Sequence, residues 1–438
     1  MFRFVFQFFT LMIDINLLRD PKTRELVIES EKKRFKNTDN IEEIYKKDQL
    51  RIKFNFELDN TNKKKNEIKK KISQIYKENK KEGKELAKDL IEKLKLIEKS
   101  CFELEVEVST LDEEIKKMLK VVGNILDSSV VVSNNERDNK LIRQFRTNRV
   151  IQNKKNYTEL MQKYTHSVAG AKIIGHRGYF LSGKIAKLGM ALSRYAIDFL
   201  EKQGYTFIQT PVMMRKDVMS KTAQIGDFDE QLYKVEDDLY LIATSEQPLS
   251  ALHMDERMVD SDLPKLYCGQ SLCFRKEAGA HGKDNSGIFR VHQFEKIEQF
   301  VICKPEESKE YFYKMIGLSE EFYKSLDISY NVVSIVSGEF NDAASIKYDL
   351  EAFFPNADKY RELVSCSNCT DYQSRELNVR YGVLKENNKK GYVHMLNSTL
   401  CAVQRTLCCV VENYQQDDKI IVPEVLRKYT GFDEIELN

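Results

Sequence analysis

An α+β fold is predicted for this 438-residue chain: an antiparallel β-sheet domain flanked by helices, with an N-terminal arm of two antiparallel coiled-coil helices. Three observations predict it. Apolar residues in the first third keep a 3, 4, 3, 4 spacing, the mark of a coiled-coil seam. Residues 274–300, FRKEAGAHGKDNSGIFRVHQFEKIEQF, set arginines, a histidine and glutamates on two strands around a glycine-broken turn. No GxxxxGK[ST] or GxGxxG segment accompanies that anion-binding signal, which argues against a parallel βαβ sheet.

Composition sets the outer limits. A hydrophobic share of 42% with 32% charged residues is globular, and the length allows two or three domains. Nine cysteines follow no even framework, so reduced thiols and a cytoplasmic setting are expected. The net charge is only +2, yet residues 51–100 hold 16 Lys and Arg against 9 Asp and Glu, +7, leaving −5 for the remainder. Basic charge gathered on one segment points to an appendage that binds a polyanion.

Taken in order, residues 1–11, MFRFVFQFFTL, stand apart. They are too short to span a membrane, lack a signal-peptide cleavage site and carry one charge, Arg3. They read as a leader with no assigned role, an upstream start or a dispensable extension. Ala87, Leu90, Leu94, Ile97, Cys101, Leu104, Val108, Leu111, Ile115, Met118 and Val122 form one unbroken seam. Phe54, Leu58, Thr61, Lys65, Ile68, Ile72 and Ile75 form a second, interrupted by Thr61 and Lys65, and residues 79–84 with Gly83 make the reversal. The result is a hairpin about 50 Å long. Lys63, Lys64, Lys65, Lys69, Lys70 and Lys71 are expected on its outer faces, as a solvated surface or as a polyanion grip.

Residues 123–134 read as a linker into the sheet domain. Leu188, Leu192, Tyr195 and Phe199 make an amphipathic stripe, and residues 204–214 a strand with a proline near its end. Residues 219–235, polar and containing Gly226, read as a mobile segment or as a simple surface loop. In the hairpin, Arg275 and Glu277 lie two apart and so share a strand face. Gly279, Gly282, Gly287, His281, Lys283, Asp284, Asn285 and Ser286 supply the turn, and a return strand over 288–300 carries Arg290, His292, Phe294, Lys296 and Glu298 at period two. Arginine interleaved with an aromatic ring suits phosphate and a stacked base; a solvated hairpin with cross-strand ion pairs fits the same pattern. Leu400, Ala402, Val403, Leu407 and Val410 read as the apolar helix that surrounds Arg405.

The 274–300 segment resembles motif 2 of the class II aminoacyl-tRNA synthetases, in the eukaryotic and archaeal seryl-tRNA synthetase style. ATSEQPLSALH at 243–253 resembles that family's serine-recognition loop, HMLNSTLCAVQRTLCCVVENYQ at 394–415 its motif 3, and DLEAFFPNADKYRELVSCSNCTDYQSREL at 349–377 its metal and nucleotide strand. Residues 188–214 resemble motif 1, the family's dimer interface. The resemblance starts at Met12 and implies three segments: the leader 1–11, a tRNA-binding domain 12–125 with the coiled-coil arm, and a catalytic domain 126–438. It implies a homodimer that makes seryl-adenylate from L-serine and ATP and passes the seryl group to serine tRNA, with the arm holding the long variable arm of that RNA and no membrane involved.

Residue by residue, the resemblance implies that Arg275 holds the α-phosphate, Glu277 the adenine amino group and Phe294 the ring face, with Arg405 at the γ-phosphate. Lys276, Val291, His292, Gln293, Leu363 and Val364 complete the ATP site. Glu362 and Ser365 would bind Mg2+. Thr244, Ser245, Glu246, Glu298, Asn397 and Thr399 would bind serine. Cys366 and Cys369 form a C-x-x-C with no second pair, so no zinc is expected. One departure is the absence of tryptophan, Phe353 standing where the family commonly has one. Two other functions remain: a serine-activating ligase that charges another carrier, against which the basic arm argues, and a catalytically silent RNA-binding relative, against which the intact Arg275, Glu277, Glu298, Glu362 and Arg405 argue.

Overall fold

The computed structural model describes residues 13–79, 82–222, 231–236, 238–277, 287–382 and 391–437; the leader, the whole 279–286 turn and residues 223–230 of the 219–235 loop, with Gly226, lie outside them. The chain divides into two compact units, one of Asp14–Lys32 and Lys36–Val122, the other built mainly of Gly123–Asn438.

In the first unit, α1 (Asp39–Glu78) and α2 (Lys88–Leu119) pack side by side, α1 being about 60 Å long at 1.5 Å per residue. Antiparallel pairing is visible in the rungs Lys47–Glu114 at 2.8 Å, Arg51–Asp112 at 2.6 Å and Lys69–Glu98 at 2.7 Å. Cys101, Leu111 and Ile115 of the seam are buried, whereas Ile68, Ile72 and Ile75 towards the tip are only half-buried, since two helices without a third element cannot enclose a core. The reversal holds a short helix, Gly83–Leu86. The lysine runs are not uniformly outward. Lys63, Lys64, Lys70 and Lys71 are exposed, but Lys65 is half-buried at its seam position and Lys69 is drawn to Glu98, because a run of three consecutive residues covers most of a helical turn.

In the second unit the strands β1 (Lys140–Phe145) and, after α3 (Gly183–Lys202), β2 (Thr206–Gln209) lie at the two edges of an eight-stranded sheet. The expected single strand over 204–214 is two: β2 stops before Pro211, which has no N–H for a ladder, and β3 (Met213–Arg215) joins a separate three-stranded sheet with β4 (Lys234–Glu236) and β5 (Leu239–Leu241). The helix α4 (Glu246–Ala251) leads to β6 (Lys265–Phe274), and β7 (Gln293–Cys303) returns along it. Then come α5 (Ser308–Ser325), β8 (Tyr330–Ser334), β9 (Ile346–Phe354), β10 (Lys359–Asn368), α6 (Tyr372–Glu376), β11 (His394–Ala402) and α7 (Val403–Asn413).

The strand order is β1–β8–β9–β10–β11–β7–β6–β2, antiparallel throughout except for the parallel edge pair β6–β2. Alternation along β7 divides its side chains. Ile297, Val301 and Cys303 join the core shared with Leu188 and Leu192 of α3, Phe312 and Phe322 of α5 and Leu407 and Val410 of α7, while Phe300 and Ile302 join a second cluster with Leu249 and Met395. Two expectations give way here. The return strand begins at Gln293, so Arg290 and His292 precede it, and residues 394–402 are strand, leaving Leu400 and Ala402 outside the helix that bears Arg405. A strand buried on both faces and a buried helix segment have the same apolar composition, which is why Leu400 and Ala402 misread.

Candidate active site

The even-numbered side chains of β7 that precede Phe300 open into a cleft of about 290 Å³. Phe294, Lys296 and Glu298 line it from β7, Asn397 and Thr399 from β11, Glu362, Leu363 and Ser365 from β10, and Arg405 from the first turn of α7. Arg275, Glu277 and Val291 enter from the base of the β6–β7 hairpin, and Thr244 and Glu246 from the start of α4.

Glu362 and Ser365 are three apart, and a regular strand would point them to opposite faces. A bulge resolves this: Leu350 pairs with Val364 but Glu351 with Glu362, so Leu363 is the extra residue and both oxygen-bearing side chains reach the cleft. A matching irregularity in β11, with Thr399 opposite Glu298 and Cys401 opposite Ile297, brings Ala402 to the cleft beside Asn397 and Thr399.

Within the cleft, Glu298 is 2% exposed and heavily bonded. It pairs with Lys296 Nζ at 2.5 Å and accepts from Ser245 Oγ at 2.6 Å, the Glu246 N–H at 3.1 Å and the Thr244 hydroxyl. Burial acts to raise its pKa, but the Lys296 ammonium and the two hydroxyls outweigh burial and hold the carboxyl below its ordinary range. Glu246 is the reverse case. Burial first, then the Glu298 carboxylate, push it up to about 7 against the hydrogen bond from Gln373. Two carboxylates within one pocket thus differ in proton affinity because only one has a cation in contact.

Arg275 and Arg405 line the same cleft. The Arg275 guanidinium lies 5.3 Å from the Phe294 ring centroid and its Nε donates to the Ala243 carbonyl at 3.3 Å. Arg405 lies 5.0 Å over the Phe289 ring, donates to the Phe289 carbonyl at 3.4 Å and sits 3.9 Å from Glu362. The expected strand pairing of Arg275 with Glu277 is not seen: β6 ends at Phe274, and Glu277 has φ +53°, a left-handed turn rather than an extended strand. Its carboxylate instead lies 3.6 Å from Arg290 and 3.9 Å from Arg177.

Other sequence-identified residues stand behind the cleft wall. Ser245 is fully buried and acts through Glu298; Val364 points into the core. His292 Nδ1 meets the Arg275 carbonyl at 3.0 Å while the Arg275 N–H donates to the His292 carbonyl, closing the hairpin base. Lys276 donates its N–H to the Gln231 carbonyl, and Gln293 is exposed at the start of β7. Among the described residues no group of three or more His, Cys, Asp or Glu could hold a metal ion, and Cys366 and Cys369 are buried free thiols.

Sequence reasoning gave no role to Lys296, although its period-two spacing from Glu298 was visible, nor to Gln373, Phe289 or Lys347. Only the fold brings Gln373 within 2.9 Å of Glu246, 127 residues away. Lys347 lies 3.5 Å from Asp349, and burial, then the neighbouring Glu362 carboxylate, keep the Asp349 carboxyl well above the usual carboxylate range in spite of that lysine.

Comparison with known proteins places this cleft in a family. Residues 232–414 match the model of the tRNA synthetase class II core domain (G, H, P, S and T), and residues 12–126 that of the seryl-tRNA synthetase N-terminal domain. The chain is 63% identical to the serine–tRNA ligase of Encephalitozoon cuniculi over 97% of this chain and 100% of that one, and 49% identical to the cytoplasmic serine–tRNA ligase of Saccharomyces cerevisiae over 95% and 94%. Among solved structures, the seryl-tRNA synthetase of Pyrococcus horikoshii complexed with ATP superposes with a TM-score of 0.89 at 38% identity, covering 97% of this chain and 99% of that one. The cytoplasmic serine–tRNA ligase of Naegleria fowleri in complex with AMP gives 0.85 at 42% identity, covering 97% and 98%.

Proposed function

The chain belongs to the seryl-tRNA synthetases and has their activity, joining L-serine to tRNA at the expense of ATP, and from that premise we propose how its own residues divide the work. The observation that carries the assignment is a single cleft lined by two carboxylates of unlike proton affinity, Glu246 and Glu298, and by two arginines, Arg275 and Arg405.

Adenylation is attack of the serine carboxylate on the α-phosphate, with no proton to remove. The protein therefore has to align the reactants and neutralise developing charge. Arg275 receives the α-phosphate, Arg405 the γ-phosphate, Phe294 the adenine face and Glu277 the adenine amino group. Glu362 and Ser365, brought to one face by the bulge, offer the hard oxygen ligands that Mg2+ takes. When bound, Mg2+ supplies charge neutralisation on the phosphate oxygens. Glu246 accepts the serine ammonium, Glu298 the serine hydroxyl, and Thr244, Asn397 and Thr399 close the pocket. A site that hydrogen-bonds a hydroxyl rejects an analogue lacking it by about 10⁴- to 10⁵-fold.

Serine tRNA is the acceptor, held by Lys63, Lys64, Lys70 and Lys71 on the arm through phosphate contacts and RNA shape. The enzyme works as a cytoplasmic homodimer in this proposal, on the strength of relatives named as cytoplasmic enzymes and of the resemblance of α3 and β2 to the family's dimer-forming motif. Among the described residues no helix is long and apolar enough to cross a membrane. Serine-dependent ATP–pyrophosphate exchange, with threonine, alanine and glycine as controls and serine tRNA added second, tests the whole assignment. Exchange with serine followed by transfer supports it; exchange without transfer to tRNA, or no exchange by folded protein, overturns it.

A further inference from the structure

The geometry points to Gln373 as a positioning residue for serine binding: its side-chain amide spends both N–H protons on fixing the Glu246 carboxylate and tying it to the backbone at Thr222. This rests on the reading of Glu246 as the ammonium acceptor. Gln373 lies on α6 and is 1% exposed. Its Nε2 donates to Glu246 Oε1 at 2.9 Å and to the Thr222 carbonyl at 3.3 Å, and Asn397 Nδ2 donates to the same Glu246 oxygen at 3.0 Å.

The amide can stand only one way round. Turned over, its oxygen would face the Thr222 carbonyl and, in the ionised form that binds an ammonium, the Glu246 carboxylate, two acceptors with no proton to offer. The orientation has a cost, because Gln373 Oε1 is buried and makes no hydrogen bond among the described residues. A buried acceptor left unmatched so that two donors can reach chosen oxygens is the mark of a residue held for the sake of its neighbour. Both donors to Glu246 take Oε1, which sets the plane of the carboxylate and leaves Oε2 to meet an ammonium. Thr222, which closes the short helix Lys216–Met219 through its own bonds to the Met219 carbonyl, gives the clamp a second anchor away from α4.

The charged and titratable groups acting on Glu246 are Glu298 and Lys296 from β7, Arg275 after β6 and Cys369 after β10. None of them donates a hydrogen bond to it, so Gln373 and Asn397 carry that task. Gln373→Met keeps the volume and removes both donors. In full-length enzyme it is expected to raise the KM for serine in pyrophosphate exchange about tenfold while leaving the KM for ATP unchanged. A donor to the ionised form is lost, so Glu246 takes up a proton more readily, and the acid limb of kcat/KM for serine moves up by about one pH unit.

Gln373→Asn, one methylene shorter, reaches at most one of the two acceptors and is expected to show a smaller rise of the same kind; it carries the test if the methionine variant does not fold. A serine KM within twofold of wild type overturns the inference. So does an equal loss for serine and ATP with the acid limb unmoved, which marks packing alone. Glu246→Gln is the control: if it leaves the serine KM unchanged, the reading of Glu246 fails, whereas a large effect there with none in Gln373→Met removes only the role of Gln373.

Discussion

Separating Lys296 from Glu298 is the sharpest test of how the serine end of the cleft is held. Both side chains are almost fully buried and in contact at 2.5 Å, so removing one partner strands the other away from water. Such a loss costs about 3–5 kcal/mol, a large share of the roughly 5–15 kcal/mol that holds a domain folded. The structure orders the variants within that range. Lys296→Met leaves Glu298 with its bonds from Thr244, Ser245 and the Glu246 N–H and belongs near the lower value. Glu298→Ala strands Lys296 and three donors together and belongs near the upper one. Glu298→Ala is therefore expected to lose serine activation together with much of the stability of the catalytic unit, and Glu298→Gln is the cleaner probe of function.

The double variant Lys296→Met/Glu298→Gln removes the charge from both and is expected to be more stable than the sum of the single losses by about 2 kcal/mol. Urea unfolding followed by far-ultraviolet circular dichroism, with tyrosine emission as a second probe in a chain of 21 tyrosines and no tryptophan, measures it. Additivity within about 0.5 kcal/mol would refute a coupled pair. The pH dependence adds a sign. Because the folded Glu298 carboxyl lies below its ordinary value, its contribution is complete above the unfolded pKa near 4.5 and disappears as pH falls through the lower folded value. Lys296→Met takes away the chief lowering influence, so acid loss of stability begins at a higher pH.

Glu246 lies on the opposite side of that balance. Its carboxyl titrates near 7, so apparent serine affinity falls as pH drops below about 7, and Glu246→Gln removes that dependence along with most of the affinity; a pH-independent wild-type serine KM between 6 and 8 contradicts the assignment. Replacing Arg275 or Arg405 by Ala is expected to slow adenylation by at least about 10²-fold, comparable to loss of a single charge-stabilising donor, and single-turnover formation of adenylate reports it. On the arm, Lys63→Ala, Lys64→Ala, Lys70→Ala and Lys71→Ala together weaken aminoacylation and flatten the logarithmic salt slope by up to about 0.9 for each phosphate no longer neutralised, with pyrophosphate exchange unchanged. Lys69→Ala has a smaller effect on tRNA, since that ammonium already faces Glu98.

The arm was legible because its determinants are local. A heptad seam needs only the sequence spacing to be read, and the rungs Lys47–Glu114 and Lys69–Glu98 confirm the pairing that the spacing implied. What spacing did not separate was which lysines of a run face outward, since Lys65 belongs to the seam and to the run at once. The cleft was legible in part for the same reason. Phe294, Lys296 and Glu298 alternate along one strand, so period two put them on one face.

Residue alternation fails wherever the chain leaves regular geometry. Arg275 and Glu277 were placed on a strand that ends at Phe274, and the left-handed turn at Glu277 carries its carboxylate to Arg290 and Arg177. Glu362 and Ser365 share a face only through a bulge, which arises from the mismatch between two strands and not from either one alone. The sequence by itself determined the helical arm, the sheet-bearing second unit and the residue types at the cleft, because periodicity and composition are properties of neighbouring residues. Tertiary structure alone decided that Lys296 would lower one carboxylate, that burial would raise the other, and that Gln373 would hold it from 127 residues away. Burial and such long-range distances exist only once the sheet has closed.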